Sequence, residues 1–366
     1  MSLRLVFYIS GHGFGHAARD IEIINALVAR ADVHITVRTD VPEWFLRESL
    51  RVPVTRIPGA VDSGMVQPDG ISLDEDASAR TAASFYDGFL ARAAREADII
   101  RASAAQLVVG DIPPLASAAA AAASLSSVAV GNFTWDWIYA AYPQFESAAP
   151  GVIGRIADGY RQTTLALRLP FCGGFASMPC IEDVPLIARV ARLTRDETRQ
   201  RLGLDRERRI VLASFGGHSG QVALGGVSGA DLTVITVGDE TQAGNEQPGH
   251  RTLSSERLGR ADVSYTDLLA SADVVLSKVG YGIVADCIAN QVPLLYTHRG
   301  RFVEQDVFDA GLPPLLRCRH LDAATLRAGA WVDEVSRLLN QPAPTRSMPV
   351  NGAEVVAERI LTMAEP

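Results

Sequence analysis

The sequence predicts an α/β protein made of two Rossmann-like domains, each a mostly parallel sheet wrapped by helices. Three observations predict it. The chain has 366 residues, 48% of them hydrophobic, which is more than one core usually holds and divides into units of roughly 180 residues. Short β-branched runs alternate with longer stretches of helical period, the rhythm of βαβ units. That rhythm starts afresh in the second half.

In the first domain, placed at residues 1–190, strands are expected at Leu5–Ile9, Val33–Val37, Leu107–Val109 and Ser127–Val130. Between the first two runs a helix with Ile21, Ile24, Leu27 and Val28 on one face. The second domain, placed at 191–366, repeats the pattern with strands at Arg209–Phe215, Leu232–Val237, Val274–Ser277 and Pro293–Thr297. Its helices are expected at Arg195–Leu202, Ile283–Asn290 and Trp331–Leu339. The joint falls between Pro179 and Leu193, where Met178-Pro179 and Val184-Pro185 keep the chain extended. Parallel sheets of this kind bind ligands at the carboxyl ends of their strands.

Composition narrows the function classes. The formal net charge is −8, and no basic run offsets it, so a nucleic-acid surface is not expected. Cys172, Cys180, Cys287 and Cys318 form no CxxC pair, which points to neither a zinc site nor a disulfide framework. Met1–Arg4 lead straight into the first strand with no cleavage site, and a cytoplasmic protein is expected. The bland run Leu115–Leu125 is too short to span a bilayer and reads as a packed helix.

The chemistry is expected first at Ser10-Gly11-His12-Gly13-Phe14-Gly15-His16, between the first strand and its helix. Gly11, Gly13 and Gly15 carry no Cβ atoms to keep a substrate from the backbone. His16 falls in the first helical turn, where the helix end disfavours an imidazolium and leaves a neutral proton acceptor. The alternative is an ordinary strand-to-helix turn of an α/β protein. Asp111 follows the strand Leu107–Val109, so it can meet His16 at one sheet edge and fix its tautomer, or it can cap the turn before Ile112-Pro113-Pro114. The aromatic cluster Asn132–Tyr139, with Trp135 and Asp136, either stacks on a sugar ring or forms a packed wall.

In the second domain, the strand ending at Ser277 runs into Lys278-Val279-Gly280-Tyr281-Gly282 and then a helix, a geometry that turns backbone N–H groups toward an anion. Asp286, one turn into the helix, either accepts bonds from a ribose diol or simply sits in the favourable acidic first turn. Gly216, Gly217 and His218, after the first strand of this domain, offer a loop over the same diphosphate. Glu304 and Gln305 either bind sugar hydroxyls or begin a solvated helix. Asp74-Glu75-Asp76 reads as an acidic first turn of a helix and not as a metal-binding Asp-x-Asp pair.

With these residues in place, the chain resembles the GT-B superfamily of nucleotide-sugar glycosyltransferases over nearly its whole length. Ser10–Ala17, Asn132–Tyr139 and Lys278–Gly282 are most similar to the glycosyltransferase-like N-terminal region of plant L-arabinokinases and its stand-alone bacterial relatives. That branch joins the region to a kinase domain, so kinase activity is not carried over to this sequence. The resemblance implies two Rossmann-like domains whose parallel sheets face each other across an interdomain cleft. It implies His16 as general base, Asp111 as its partner, Gly280 and Gly282 as diphosphate contacts around Tyr281, Asp286 as ribose ligand, and Glu304 with Gln305 as sugar contacts. The acceptor would lie along His12, Gly13, Phe14, Trp135 and Asp136. The expected reaction is inverting transfer from a nucleotide-diphosphate sugar, UDP-linked by resemblance, to a hydroxyl of a small molecule or glycan. Neither metal nor separate cofactor is expected. Three other readings stay open: a nicotinamide dehydrogenase, whose fingerprint Gly11-x-Gly13-x-Gly15 misses by one place; a nucleotide-sugar epimerase or hydrolase; and a non-catalytic sugar-nucleotide sensor.

Overall fold

A computed structural model describes residues 2–69, 71–215, 231–238 and 248–364. The chain forms two compact units. The first comprises Met1–Val66, Asp74–Ala188 and Pro349–Pro366, the second Gln67–Leu73 and Arg189–Met348. A single cut at 190/191 therefore misplaces two segments: 67–73 packs with the second unit, and the last helix with the first.

Among the described residues the first unit carries seven strands, β1 (Leu3–Ile9), β2 (Val33–Thr39), β3 (Thr55–Pro58), β4 (Leu107–Asp111), β5 (Ser127–Phe133), β6 (Leu165–Gly173) and β7 (Ile181–Asp183). They lie in the order β3-β2-β1-β4-β5-β6-β7, and the pairings are parallel. The central strands β4 and β5 are buried from end to end, as a sheet covered on both faces requires. Leaving β1, the chain works outward to β2 and β3, then returns to the other side of β1 at β4. The carboxyl ends of β1 and β4 thus form a topological switch point, and Ile9 is in register with Asp111.

Helix α1 (Phe14–Val28) follows β1 and buries Ile21, Ile24 and Leu27. Helix α2 (Pro114–Ala122), the Ala-rich run, is buried over most of its length, and no helix among the described residues is long and apolar enough to cross a membrane. Asp74 caps the helix Glu75–Tyr86 by accepting from Ala77 N at 2.8 Å.

The second unit repeats the plan with β8 (Arg209–Ser214), β9 (Leu232–Gly238), β10 (His250–Ser254), β11 (Val274–Lys278), β12 (Leu294–Thr297) and β13 (Cys318–His320), again among the described residues. Their order, β10-β9-β8-β11-β12-β13, places a second switch point between β8 and β11, where Ser214 is in register with Ser277. Fully buried Trp331 packs in its core with Val211, Val234, Leu276 and Leu295. Helix α3 (Tyr281–Asn290) leaves β11 two residues earlier than its apolar period suggests, and α4 (Glu304–Gly311) follows β12.

The last helix, α5 (Gly352–Ala364), packs on α1 through an apolar stripe that includes Val356, Ala357 and Ile360. Its first residue admits no side chain, because a Cβ at Gly352 would stand 2.2 Å from the Pro185 carbonyl oxygen.

Candidate active site

At the switch point of the first unit, β1 stops at Ile9 and the exposed turn Gly11–Gly15 carries the chain to α1. Gly13 is the helix N-cap at φ 84°, a conformation that glycine adopts without strain. His16 is the third helical residue, and helical spacing puts Arg19 and Asp20 on its side of α1. His16 Nδ1 lies 2.9 Å from Asp111 Oδ1. The fully buried Asp111 is also gripped by Arg19, whose Nε and Nη2 reach the two carboxylate oxygens, while Nη1 donates to Asn132 Oδ1 at 2.8 Å.

Burial pushes the Asp111 carboxyl up, but the charges and hydrogen bonds of Arg19 and His16 outweigh it and hold it below the usual carboxylate value. Arg19 Nη2 also stands 3.0 Å from His16 Nδ1; in the tautomer whose Nδ1–H donates to ionised Asp111, the lone pair lies on Nε2, the arrangement of a proton acceptor. Asp20 behaves in the opposite way. Buried with neither oxygen hydrogen-bonded among the described residues, its carboxyl is raised well above the ordinary value by desolvation and by the charge of Asp111, with Arg19 partly offsetting them.

The other residues expected on this side fall into two groups. His12 and Phe14 are open. Phe14 stacks on Phe45 at 4.6 Å and meets Trp44 edge-on at 5.8 Å, and a Cβ at Gly13 or Gly15 would meet nothing within 4 Å. Trp135 is not open: it is 2% exposed, and its indole N–H donates to Asp62 at 2.8 Å. At Phe133, Trp135 and Tyr139 the aromatic cluster is thus a wall, because rings buried this fully have no free face to offer a sugar. Asp136 is half-buried and accepts from Ser177 Oγ at 2.7 Å.

In the second unit, Lys278 ends β11 beside Gly280, the N-cap of α3, and a Cβ at Gly280 would enter open space. Among the described residues Lys278 Nζ reaches only Gln67 Oε1, at 3.4 Å. Its ammonium is pushed down to about 8, first by burial and then by Arg299, with Asp69 partly offsetting them. Among the described residues no carboxylate forms an ion pair with Lys278, so a bound anion there would restore the favour for its charged form. Gly216, Gly217 and His218 lie outside the described residues.

Glu304 and Gln305 are buried at the start of α4 and organise the segment before it. Arg299 Nη2 pairs with Glu304 at 3.1 Å, and Gln305 accepts from Arg299 N at 2.7 Å while donating to the Gly300 carbonyl at 3.0 Å. Among the described residues no cluster of three His, Cys, Asp or Glu side chains is arranged to hold a metal ion.

Asp286 does not fit the place expected of a ribose ligand. It is 2% exposed; Oδ1 accepts from Arg189 N at 3.0 Å and Oδ2 from the Arg189 guanidinium. Asn290, one turn on, binds Ala191 N and the Arg189 carbonyl, and Asp267 takes the amides of Arg192 and Leu193. These three side chains fasten the segment 189–193 to the second unit. Arg189→Met is expected to cost about 1–3 kcal/mol, by leaving a buried carboxylate poorly compensated, and to lower the unfolding midpoint without changing uridine diphosphate affinity. Calorimetric unfolding and titration of the same sample check both halves.

No protein-family model matches the chain. It is similar to L-arabinokinase of Arabidopsis thaliana, 29% identical over 367 residues, which cover 97% of this chain and 34% of that protein. The chain thus spans about a third of the length of the curated relative it matches. Among solved structures, it is similar to the glycosyltransferase SnogD from Streptomyces nogalater, with a TM-score of 0.58 and 17% identity over all of both chains. A second is UGT2 of Phytolacca americana, solved with UDP-2-fluoro-glucose and pterostilbene, with a TM-score of 0.57 and 13% identity over 100% of this chain and 94% of that one. These likenesses establish the fold: two Rossmann-like, parallel-sheet units of the GT-B class.

Proposed function

We propose that this protein is a glycosyltransferase that moves a sugar from a nucleotide-diphosphate donor to an acceptor hydroxyl with inversion. The observation that carries the reading is the 2.9 Å contact of His16 with buried Asp111 at the switch point of the first unit. His16 Nε2 takes the acceptor's hydroxyl proton, the oxygen forms a bond to the anomeric carbon, and the bond from that carbon to the diphosphate breaks. One displacement inverts the centre. Asp111 stabilises the imidazolium that results.

On the donor side, the backbone amides at the start of α3, around Gly280, Tyr281 and Gly282, and Lys278 neutralise the departing diphosphate. Glu304 and Gln305 set the loop that meets the sugar. Asp286 is left out of this assignment, since Arg189 occupies its carboxylate. A uridine donor is the first choice, because a protein of the same fold was solved with UDP-2-fluoro-glucose.

The test is a melting-temperature screen of UDP-, dTDP- and GDP-sugars at pH 7. A true donor at a hundred times its Kd adds about 2.7 kcal/mol, or roughly 5–10 °C in a unit of this size. Lys278, titrating near 8, then sets the pH dependence. Its charge is present below that pH and lost above it, so uridine diphosphate affinity falls up to about tenfold between pH 7 and 9, and Lys278→Met removes the slope. No shift with any sugar nucleotide, or a slope the variant retains, overturns the donor site. Donor turnover without acceptor would replace transfer by epimerisation or hydrolysis.

A further inference from the structure

The glycine-rich turn carries two histidines, and each is backed by its own buried aspartate. The two pairs differ in what balances the carboxylate. Asp111 has the guanidinium of Arg19 on both oxygens, so its charge is compensated whatever His16 does. Asp62, 2% exposed, takes neutral donors from Ser10 Oγ at 3.1 Å and Trp135 Nε1 at 2.8 Å. Its third partner is His12, whose Nε2 lies 3.1 Å from Oδ1. Among the described residues no lysine or arginine pairs with it. An interior carboxylate without a counter-cation is costly, and the group placed to supply the positive charge is the His12 ring.

The place is built for that ring. A Cβ at Gly64, which stands at φ 55°, would fall 2.2–2.5 Å from the His12 ring atoms, so the imidazole lies flat on this glycine. The Tyr139 hydroxyl holds the loop beneath it, bonding Ser63 Oγ and the Gly64 carbonyl, each at 2.8 Å. The outer edge is open, with 36% of the His12 side chain exposed, and its Nδ1 finds no acceptor among the described residues. A line of rings, His12, Trp135, Phe133 and His16, with centroids 6.5, 5.0 and 5.7 Å apart, joins the two histidines across one wall.

We propose that His12 is a standing imidazolium whose free Nδ1–H receives an anionic group, a carboxylate or a phosphate, on the acceptor. The inference rests on the reading above for the identity of the ligand as acceptor. The charged groups facing His12 are Asp62 below it and Asp40 after β2, with the His16 ring farther along the same wall. Burial pulls its pKa down, and the bond and charge of Asp62, helped by Asp40, more than restore it, so the net direction is upward. Division of labour follows: His16, beside an already balanced carboxylate, accepts the proton, and His12 holds the acceptor by its charge.

The test is side-chain 15N NMR of the full chain, with His12 assigned from His12→Gln, titrated with inorganic phosphate, glucose 6-phosphate, glucuronate and neutral glucose. The expected result is an imidazolium pattern for His12 at pH 7 and a saturable response to the anions but not to glucose. His12→Gln should weaken that binding about tenfold or more, and Gly64→Ala, by lifting the ring, should do the same with the fold retained. The stronger of the phosphate and carboxylate arms names the acceptor's anion. A neutral His12 at pH 7, or equal anion binding in His12→Gln, overturns the proposal. None of these readouts uses turnover. An active His16→Ala enzyme would sink the assigned reaction and leave this anion site standing, and loss of the His12 response alone would do the reverse.

Discussion

Replacing His16 by alanine is expected to lower transfer by about 10²–10⁴-fold, the usual contribution of a positioned general base, with donor affinity unchanged. The variant is a clean one. His16 occupies the third position of α1, alanine is the best helix former, and the Asp111–Arg19 pair survives without the imidazole. Asp111→Asn is not clean in this sense, because it strands a buried guanidinium as well as the base. Release of nucleoside diphosphate, followed at saturating donor with far-UV circular dichroism as the check on folding, decides the matter. A folded His16→Ala protein with undiminished turnover removes His16 from the reaction.

Replacing Arg19 by methionine is expected to destabilise the first unit strongly. Arg19 and Asp111 side chains are 3% and 0% exposed, and removing one partner of such a pair leaves a charge in the interior, which costs about 3–5 kcal/mol. For a unit of this size that is a fall in melting temperature of roughly 6–20 °C. Arg19→Lys keeps the charge but cannot reach both carboxylate oxygens and Asn132 together, so partial recovery is expected. The acid limb of the stability curve carries a second signature. Asp111, lowered in the native state, stabilises the fold at pH values above its ordinary 3.8 and loses this as pH drops through its native value. Asp20, raised in the native state, contributes fully below 3.8 and loses its share as pH climbs through its native value. Without Arg19 the first effect disappears and the second remains, so the denaturant midpoint falls less steeply as pH drops below 3.8 than it does in the wild type. Unaltered midpoints would mean that Arg19 does not hold Asp111.

How much of this was legible in the chain varies residue by residue. Strand-then-glycine spacing announces the turn to His16, and a βαβ rhythm puts Asp111 at the same sheet edge though it lies 95 positions away. Arg19 was overlooked because an arginine in an amphipathic helix reads as solvated. Its i+3 spacing from His16 was the available signal. Asp62 lies in a loop with no periodicity, so nothing local marks it as the anchor of His12 and Trp135. Asp286 illustrates the opposite failure. An acidic residue one turn into a helix looks the same whether it binds a ribose or an arginine, and the deciding partner, Arg189, is 97 positions distant. The edge strand β3 is only four residues long, too short for alternation to register. The amphipathic period of α5 is plain, yet periodicity says only that a helix needs a partner, not which one, and so its place on α1 could not be read.

That placement has a consequence for how the protein is made. In synthesis α1 precedes α5, so the helix bearing His16 keeps an apolar flank uncovered while the intervening segment is still being made. At about 5–20 residues per second, the wait between Ala188 and Ala364 is on the order of ten to thirty-five seconds. For that interval the apolar flank of α1 that α5 covers stays exposed, and a polypeptide ending at residue 188 never covers it.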